Sequence, residues 1–502
     1  MSPTQRVVRL DDALHFNATN HTSRLALFCT RDMFCDRLEW CDHPDGLSWK
    51  RLDRLVTQTA WLLKDTAGWM NRRIVHEVTN RVSDVVIALA CARAGLVEVP
   101  IDSAAGENYV RQCRAQVGGV WLNQVQKQET IERANRLQEF HCQWPTPSPD
   151  DPALVLWTSG TTESPKGVVL SHRALCCNAY AKLSAARQTS SDRRLTVLSI
   201  GHAYARTCDL GTWLLAGSTL AIARGYDGWR DMAERFQPTV VNVVPSLSER
   251  ILDDTTGCES LQMLGCGGAA MDGEQFRRWT DRGVSVIQGY GLTESGPVIS
   301  SQTREDSIPG HAGKIVQSWQ YRIDSHDRLF VRGPCLMSGY LDDAIATEQR
   351  IDPEGWLNTG DVVRKCPRTE QLQILGRADD RLTLTSGYTI DPLMIEKRVA
   401  AIPAIRSCLL MLDESGRKLR LWIETTAIAE ESLQQITDRV SGAIAPLANW
   451  ERPSEIRYFR LSQSEREQFF SPKGTVRRIP LANHLRQTPI LRSENDDFPP
   501  GF

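Results

Sequence analysis

Residues Leu154–Leu170 read LVLWTSGTTESPKGVVL, an apolar run, a polar loop and a second apolar run. Leu154–Thr158 and Val168–Leu170 are short, apolar and β-prone, so each reads as a buried strand. Between them come hydroxyls at Thr158, Ser159, Thr161, Thr162 and Ser164, with glycines at Gly160 and Gly167. Neither a core strand nor an ordinary tight turn needs that composition. Glycine lets backbone N–H groups turn toward an anion without a Cβ clash, and hydroxyls add donors. Lys166 supplies positive charge. The chemistry is that of a polyphosphate cradle; the plainer alternative is a flexible Ser/Thr/Gly linker. It is not a Walker A loop, because Lys166 is followed by Gly167 and no GxxxxGK[ST] pattern appears.

Working outward, strands alternate with helices. Ser83–Ala94 has helical apolar spacing and a Ser/Asp start, and Leu96–Pro100 follows as a short strand. Thr239–Val244 is a buried strand ended by Pro245, with a helix from Ser246, and Val284–Gln288 runs into a glycine-rich turn. This alternation predicts an α/β architecture with largely parallel sheets. The last part of the chain differs. Cys408–Leu412 and Leu419–Thr425 flank Asp413–Gly416, a hairpin signal; a helix over Glu431–Ile444 and a strand over Glu455–Leu461 follow. The expected organisation is a large α/β domain over residues 1–376, a hinge over 377–380 and a small α+β domain over 381–502.

With 502 residues, more than one hydrophobic core is expected. Hydrophobic residues make up 41% and charged residues 24%, the balance of an ordinary soluble protein. Lys plus Arg total 59 against 61 Asp plus Glu, a net charge of −2, so no global basic excess points to nucleic acid. The first twenty residues lack the pattern of a secretory leader, and the longest apolar run, Val85–Ala92, is far too short to span a bilayer. These features predict a cytoplasmic protein acting on a small molecule. The 14 cysteines form no CxxC pair and read as reduced core residues.

Four motifs stand in a fixed order: TSGTTESPKG at Thr158–Gly167, YGLTE at Tyr290–Glu294, TGD at Thr359–Asp361 and GRADD at Gly376–Asp380. In that order they resemble the adenylate-forming superfamily, which includes acyl-CoA synthetases, non-ribosomal adenylation domains and firefly luciferase. The likeness runs from about Leu47 to about Leu481. It implies that Thr158, Ser159, Gly160, Thr161, Thr162 and Lys166 receive the phosphates of ATP. Gly289, Tyr290 and Gly291 would lie near adenine, and Thr293 near the phosphates. Glu294 would hold Mg²⁺, a hard cation that takes carboxylate oxygens beside phosphate. Gly267, Gly268 and Ala269 match a loop that adenine and the acyl group approach closely. Asp361 would bind the ribose hydroxyls, Arg377 would make a second nucleotide contact, and Asp379 would be the hinge of the small domain. The segment Ser199–Gly217 resembles long-chain fatty acyl-CoA synthetases, with His202, Arg206 and Thr207 at the family spacing and His202 on the acyl side.

The chain departs from the family at one position. The family ends in a Gly-Lys pair followed three residues later by Arg, whereas Ser471–Arg478 reads SPKGTVRR. Aligning Gly474 and Arg478 puts Thr475 where the lysine belongs. Residues two apart in an extended segment share a face about 6.6 Å apart, so Lys473 is the candidate adenylation lysine. The resemblance implies ATP-dependent activation of a carboxylic acid, of medium or long chain, and transfer to coenzyme A. Three alternatives stay open: a carrier protein's phosphopantetheine as acceptor, a non-catalytic adenylate binder, and an unrelated P-loop-like ATPase, disfavoured because no Walker B or GK[ST] pattern appears.

Overall fold

The two apolar runs around the Ser/Thr/Gly loop become strands Pro152–Thr158 and Lys166–Ser171. They pair antiparallel, with Thr158 opposite Lys166 and Trp157 opposite Gly167, so the loop is a hairpin connection. In this computed structural model the described residues are 9–29, 40–67, 72–137, 147–158, 165–380, 382–385, 389–425, 430–470 and 476–487. Ser159, Gly160, Thr161, Thr162 and Lys473 lie outside them.

The chain divides into two compact units. One ends at Ile374; the other takes Leu375 onward together with Gly360–Val362. In the first, a six-stranded sheet runs in the order Gly339–Tyr340, Lys166–Ser171, Pro152–Thr158, Val97–Asp102, Arg73–Val78, Val120–Leu122. The last four strands are mutually parallel. A nine-stranded sheet has a parallel centre formed by Ser285–Gly291, Met263–Cys266, Val240–Val243, Arg193–Thr196, Thr219–Ile222 and Leu25–Phe28. Antiparallel strands flank it at both edges. Buried on both faces, central strands such as Val240–Val243 and Met263–Cys266 are largely apolar, as parallel sheets require, whereas strand Arg193–Thr196 carries a buried Arg194 paired with Asp209. Helix Val82–Ala94 is almost wholly buried and ends on Gly95 in the left-handed conformation. A four-stranded sheet runs in the order Gln320–Ile323, Arg328–Arg332, Leu357–Lys365, Leu372–Arg377, its first two strands antiparallel and most of its residues in the first unit.

The second unit carries the three-stranded sheet Ile405–Leu412, Leu419–Thr425, Glu455–Phe459. The hairpin at Asp413–Gly416 forms as its turn residues dictate, and the third strand pairs parallel to the second. Helices Pro392–Ala400 and Glu430–Ile444 contribute Ile395, Val399, Ile436, Val440 and Ile444 to the core of this sheet. Arg478, at the start of helix Arg478–Gln487, anchors that helix by donating to Glu396 at 2.6 Å and to the Leu410 carbonyl at 2.8 Å. The 12 described cysteines are all free thiols, and eight are buried. Among the described residues no helix is long and apolar enough to cross a membrane.

Helix His172–Ala185 follows strand Lys166–Ser171 directly, and the Ser171 side chain caps it by accepting from the Ala174 N–H at 3.2 Å. Burial, and secondarily Arg9, push the His172 imidazole down from 6.5 to about 4. Its Nε2 is buried and has no hydrogen-bond partner. Between pH 6.5 and 4 the unfolded chain therefore takes up a proton that the folded chain refuses, and stability falls with pH across that window. At pH 4.5 the loss assigned to this residue is about 2–3 kcal/mol. Urea midpoints at pH 7 and 4.5 check it: His172→Gln should show a correspondingly smaller drop than the wild type.

Candidate active site

The YGLTE stretch leaves the nine-stranded sheet at the end of strand Ser285–Gly291 and folds into a 3₁₀ turn over Thr293–Ser295. Gly291 is required there: a Cβ on it would sit 1.5 Å from the Pro297 carbonyl oxygen, which also accepts from the Leu292 N–H at 3.0 Å. The turn aims Glu294 inward, leaving it only 8% exposed. A buried carboxylate needs partners. Tyr340 donates its hydroxyl to Glu294 Oε1 at 2.7 Å, and an Arg350 nitrogen lies 3.9 Å from the same oxygen. Burial, then Glu294, push the Tyr340 phenol well above its usual range. Lys166 places its ammonium 5.2 Å from the centre of the Tyr340 ring, within cation–π range. Thr158 Oγ1 donates to the Lys166 carbonyl at 3.5 Å, at the root of the hairpin loop.

Arg350 also donates to the Thr359 carbonyl at 2.9 Å, which ties this group to the strand of the TGD motif. Two residues further along that strand, Asp361 is buried, and Arg377 donates to its Oδ1 at 3.3 Å. Residues from three of the four motifs are thus linked: Lys166, Glu294 and Thr359 through Tyr340 and Arg350. Asp379 belongs to the turn Ala378–Asp380. Sequence reading missed Tyr340 and Arg350. Tyr340 follows a glycine on a two-residue edge strand and Arg350 ends a seven-residue helix; no local pattern marks either.

The glycine loop after strand Met263–Cys266 is open on one side, with Gly267 buried and Gly268 and Ala269 exposed. A Cβ on Gly267 would meet the Tyr204 ring at 3.0 Å, so that ring lies directly against the loop. Gly289 and Tyr290 are half-buried, and Tyr290 packs against a cluster containing Val298, Ile299 and Trp319. Thr293 is half-buried at the start of the 3₁₀ turn.

In the segment Ser199–Gly217 the residues part company. The His202 side chain is 40% exposed, with Nε2 3.4 Å from the Asp102 carboxylate. Arg206 and Thr207 turn inward, on a π-helical stretch over Arg206–Gly211. Arg206 donates to Glu98 at 2.6 Å, and Thr207 donates to the Gly296 carbonyl at 2.7 Å. They brace the interior and the YGLTE turn; His202 alone of the three keeps an accessible imidazole.

No group of three or more His, Cys, Asp or Glu side chains among the described residues could hold a metal by itself. A buried carboxylate such as Glu294 nevertheless suits Mg²⁺, which takes one or two carboxylates and completes its shell with water and phosphate oxygens. Glu294 is the residue present that fits.

Parallel-rich sheets flanked by helices, with a hydroxyl- and glycine-rich sequence joining two strands and the buried Glu294 carboxylate held by Tyr340, make this an α/β protein. The model of the AMP-binding enzyme family matches residues 17–341, and the chain belongs to that family. It is 26% identical over 395 residues to the peroxisomal long chain acyl-CoA synthetase 6 of Arabidopsis thaliana, covering 63% of this chain and 56% of that protein. It is 29% identical over 326 residues to 4-coumarate–CoA ligase 2 of Oryza sativa subsp. japonica, covering 58% and 57%. The matches therefore span just over half the length of these curated relatives. The O-succinylbenzoate coenzyme A synthetase of Bacillus subtilis, solved with ATP and magnesium ion, superposes with a TM-score of 0.76 at 20% identity, over 94% of this chain and 99% of that one. This likeness shows the fold: the α/β adenylate-forming architecture expected from the motif order.

Proposed function

We propose that this chain activates a carboxylic acid with ATP to an acyl-adenylate and passes the acyl group to coenzyme A. The observation that carries the reading is the buried Glu294 carboxylate held by Tyr340, whose ring carries the Lys166 ammonium, with the TGD strand fastened to the same group through Arg350. The relatives named as CoA ligases support it. In the first step a carboxylate oxygen attacks the α-phosphorus of ATP, a P–O bond forms, and the bond to pyrophosphate breaks. In the second, a thiolate sulfur attacks the acyl carbon and AMP leaves.

Each residue has a task in this scheme. Thr158, Ser159, Gly160, Thr161, Thr162 and Lys166 donate to the phosphates, where positioned donors stabilise charge that develops in the transition state. Glu294 would hold Mg²⁺, whose charge offsets that of the phosphates when bound; Thr293 stands beside it. Asp361 accepts from the ribose hydroxyls and Arg377 orients it. Gly267, Gly268, Ala269, Gly289, Tyr290 and Gly291 form the surfaces for base and acid, His202 borders the acid, and Asp379 is the hinge. Positioning and charge neutralisation do this work without a covalent protein intermediate. A cytoplasmic location and an aliphatic acid of medium or long chain belong to the same proposal. The acid assignment is supported by the segment Ser199–Gly217 and by the long-chain relative; the coumarate relative is why its test includes aromatic acids.

Lys473 is proposed as the lysine that stabilises charge on the carboxylate and α-phosphate. Removing one such donor costs about 2.7 kcal/mol or more, roughly 10²-fold in rate. Lys473→Ala should slow single-turnover adenylate formation by that factor; a rate within about threefold of wild type removes the residue from the scheme. The displaced lysine also favours a second reading, an adenylate binder without turnover. That protein would bind nucleotide and exchange no pyrophosphate with any acid.

A further inference from the structure

Arg350 ends helix Ala344–Arg350, and its side chain is 19% exposed. One terminal nitrogen serves both the Thr359 carbonyl, at 2.9 Å, and Glu294 Oε1, at 3.9 Å, while the buried Nε has no partner. Tyr340 donates to the same Oε1. Both holds on the carboxylate thus fall on one oxygen, and one of them is cationic. Lys166 adds a second positive charge above the Tyr340 ring. The Glu294 carboxylate therefore already has a cation beside it within the protein.

We infer that Arg350 is a positioning residue that makes metal binding at Glu294 depend on nucleotide. A divalent cation arriving alone meets a carboxylate whose charge is offset by Arg350, and Lys166 over the Tyr340 ring adds a second cation that repels it. Phosphates arriving with it neutralise both cations, and Glu294 then faces the metal with its full charge. The guanidinium presents five N–H groups in a planar fork, and a phosphate oxygen can take those not engaged by the Thr359 carbonyl and the Tyr340 hydroxyl. Metal and triphosphate load together, and the site resists occupation by metal without ATP. This inference rests on the proposal that Glu294 is the metal ligand.

Titration of the full chain with Mn²⁺, reading free Mn²⁺ by electron paramagnetic resonance in the absence of nucleotide, tests it. Wild type should retain Mn²⁺ weakly. Arg350→Gln, which keeps a donor for the Thr359 carbonyl and deletes the charge, should bind it about tenfold more tightly or better. Arg350→Met, a second neutral side chain, should do the same, and Arg350→Lys should behave as wild type. Tyr340→Phe, which removes a hydrogen bond and no charge, should change the affinity by less than about threefold. Glu294→Gln in the Arg350→Gln background should return binding to the weak wild-type level. If neither neutral variant tightens binding while Glu294→Gln still abolishes retention of Mn²⁺ with a non-hydrolysable ATP analogue, Arg350 has no such role and Glu294 remains the ligand. If Glu294→Gln leaves Mn²⁺ retention unchanged with the analogue as well, the metal-ligand reading fails and this inference with it.

Discussion

Glu294→Gln is expected to lower acid-dependent ATP–pyrophosphate exchange about 10³-fold, a loss of roughly 4 kcal/mol in the transition state. The substitution keeps the size of the side chain and an oxygen for the Tyr340 hydroxyl, so the turn over Thr293–Ser295 and its packing are retained. It removes the charge of the buried carboxylate held by Tyr340, and an amide oxygen is a much poorer ligand than a carboxylate for Mg²⁺. It also leaves Arg350 without its anionic counterweight. Metal and phosphate then both bind against an altered field. The measurement is exchange at saturating acid and ATP, with far-ultraviolet circular dichroism to check that the fold is intact. A loss of less than about tenfold would mean that Glu294 does not hold the metal.

Glu98→Leu is expected to destabilise the large unit by about 3–5 kcal/mol. Glu98 lies on strand Val97–Asp102, only 4% exposed, and accepts from His76 at 2.9 Å and from Arg206 at 2.6 Å. Burial pushes its carboxyl up, but the Arg206 guanidinium and His76 outweigh that and hold it below the usual range. Removing the anion strands the Arg206 guanidinium, 3% exposed and with its Nε already unpartnered, inside an apolar core. The companion variant separates charge from packing. Glu98→Leu with Arg206→Met removes both charges and should recover most of the loss, because a buried pair contributes little beyond its own desolvation. Urea midpoints of the three proteins read this directly. Equal destabilisation by the single and double variants would show that packing, not the stranded charge, sets the cost.

Glu98 also marks where sequence reading ended. Near-continuous apolar runs such as Thr239–Val244 forecast the buried parallel strands, and the order of the four motifs forecast the architecture. Period and punctuation are local properties, so they survive in one dimension. Pairing is not local. Strands Pro152–Thr158 and Lys166–Ser171 are two apolar runs on either side of a loop, and nothing in either run dictates that they pair antiparallel; the short connection between them does. The same limit governs the site. Glu294 and Asp361 stood out because their motifs carry chemistry at fixed spacing. Tyr340 and Arg350 contribute through distance alone, 46 and 56 positions from Glu294 along the chain, and neither has a neighbour that would single it out. Arg206 was grouped with His202 by spacing, yet only the fold reveals Glu98 waiting 108 residues upstream to take it inward. Thr207 followed it for a similar reason, to reach the Gly296 carbonyl.

The central claim is that this protein couples ATP to a carboxylic acid through an adenylate, and pyrophosphate exchange tests it most directly. Purified full-length chain would be incubated with ATP, Mg²⁺ and labelled pyrophosphate across acids from acetate to palmitate, with aromatic acids and amino acids alongside. The expected result is label entering ATP only when an acid is present, strongest for an aliphatic acid of medium or long chain, with the acyl-CoA appearing once coenzyme A is added. Nucleotide binding without exchange for every acid on the panel would contradict the account.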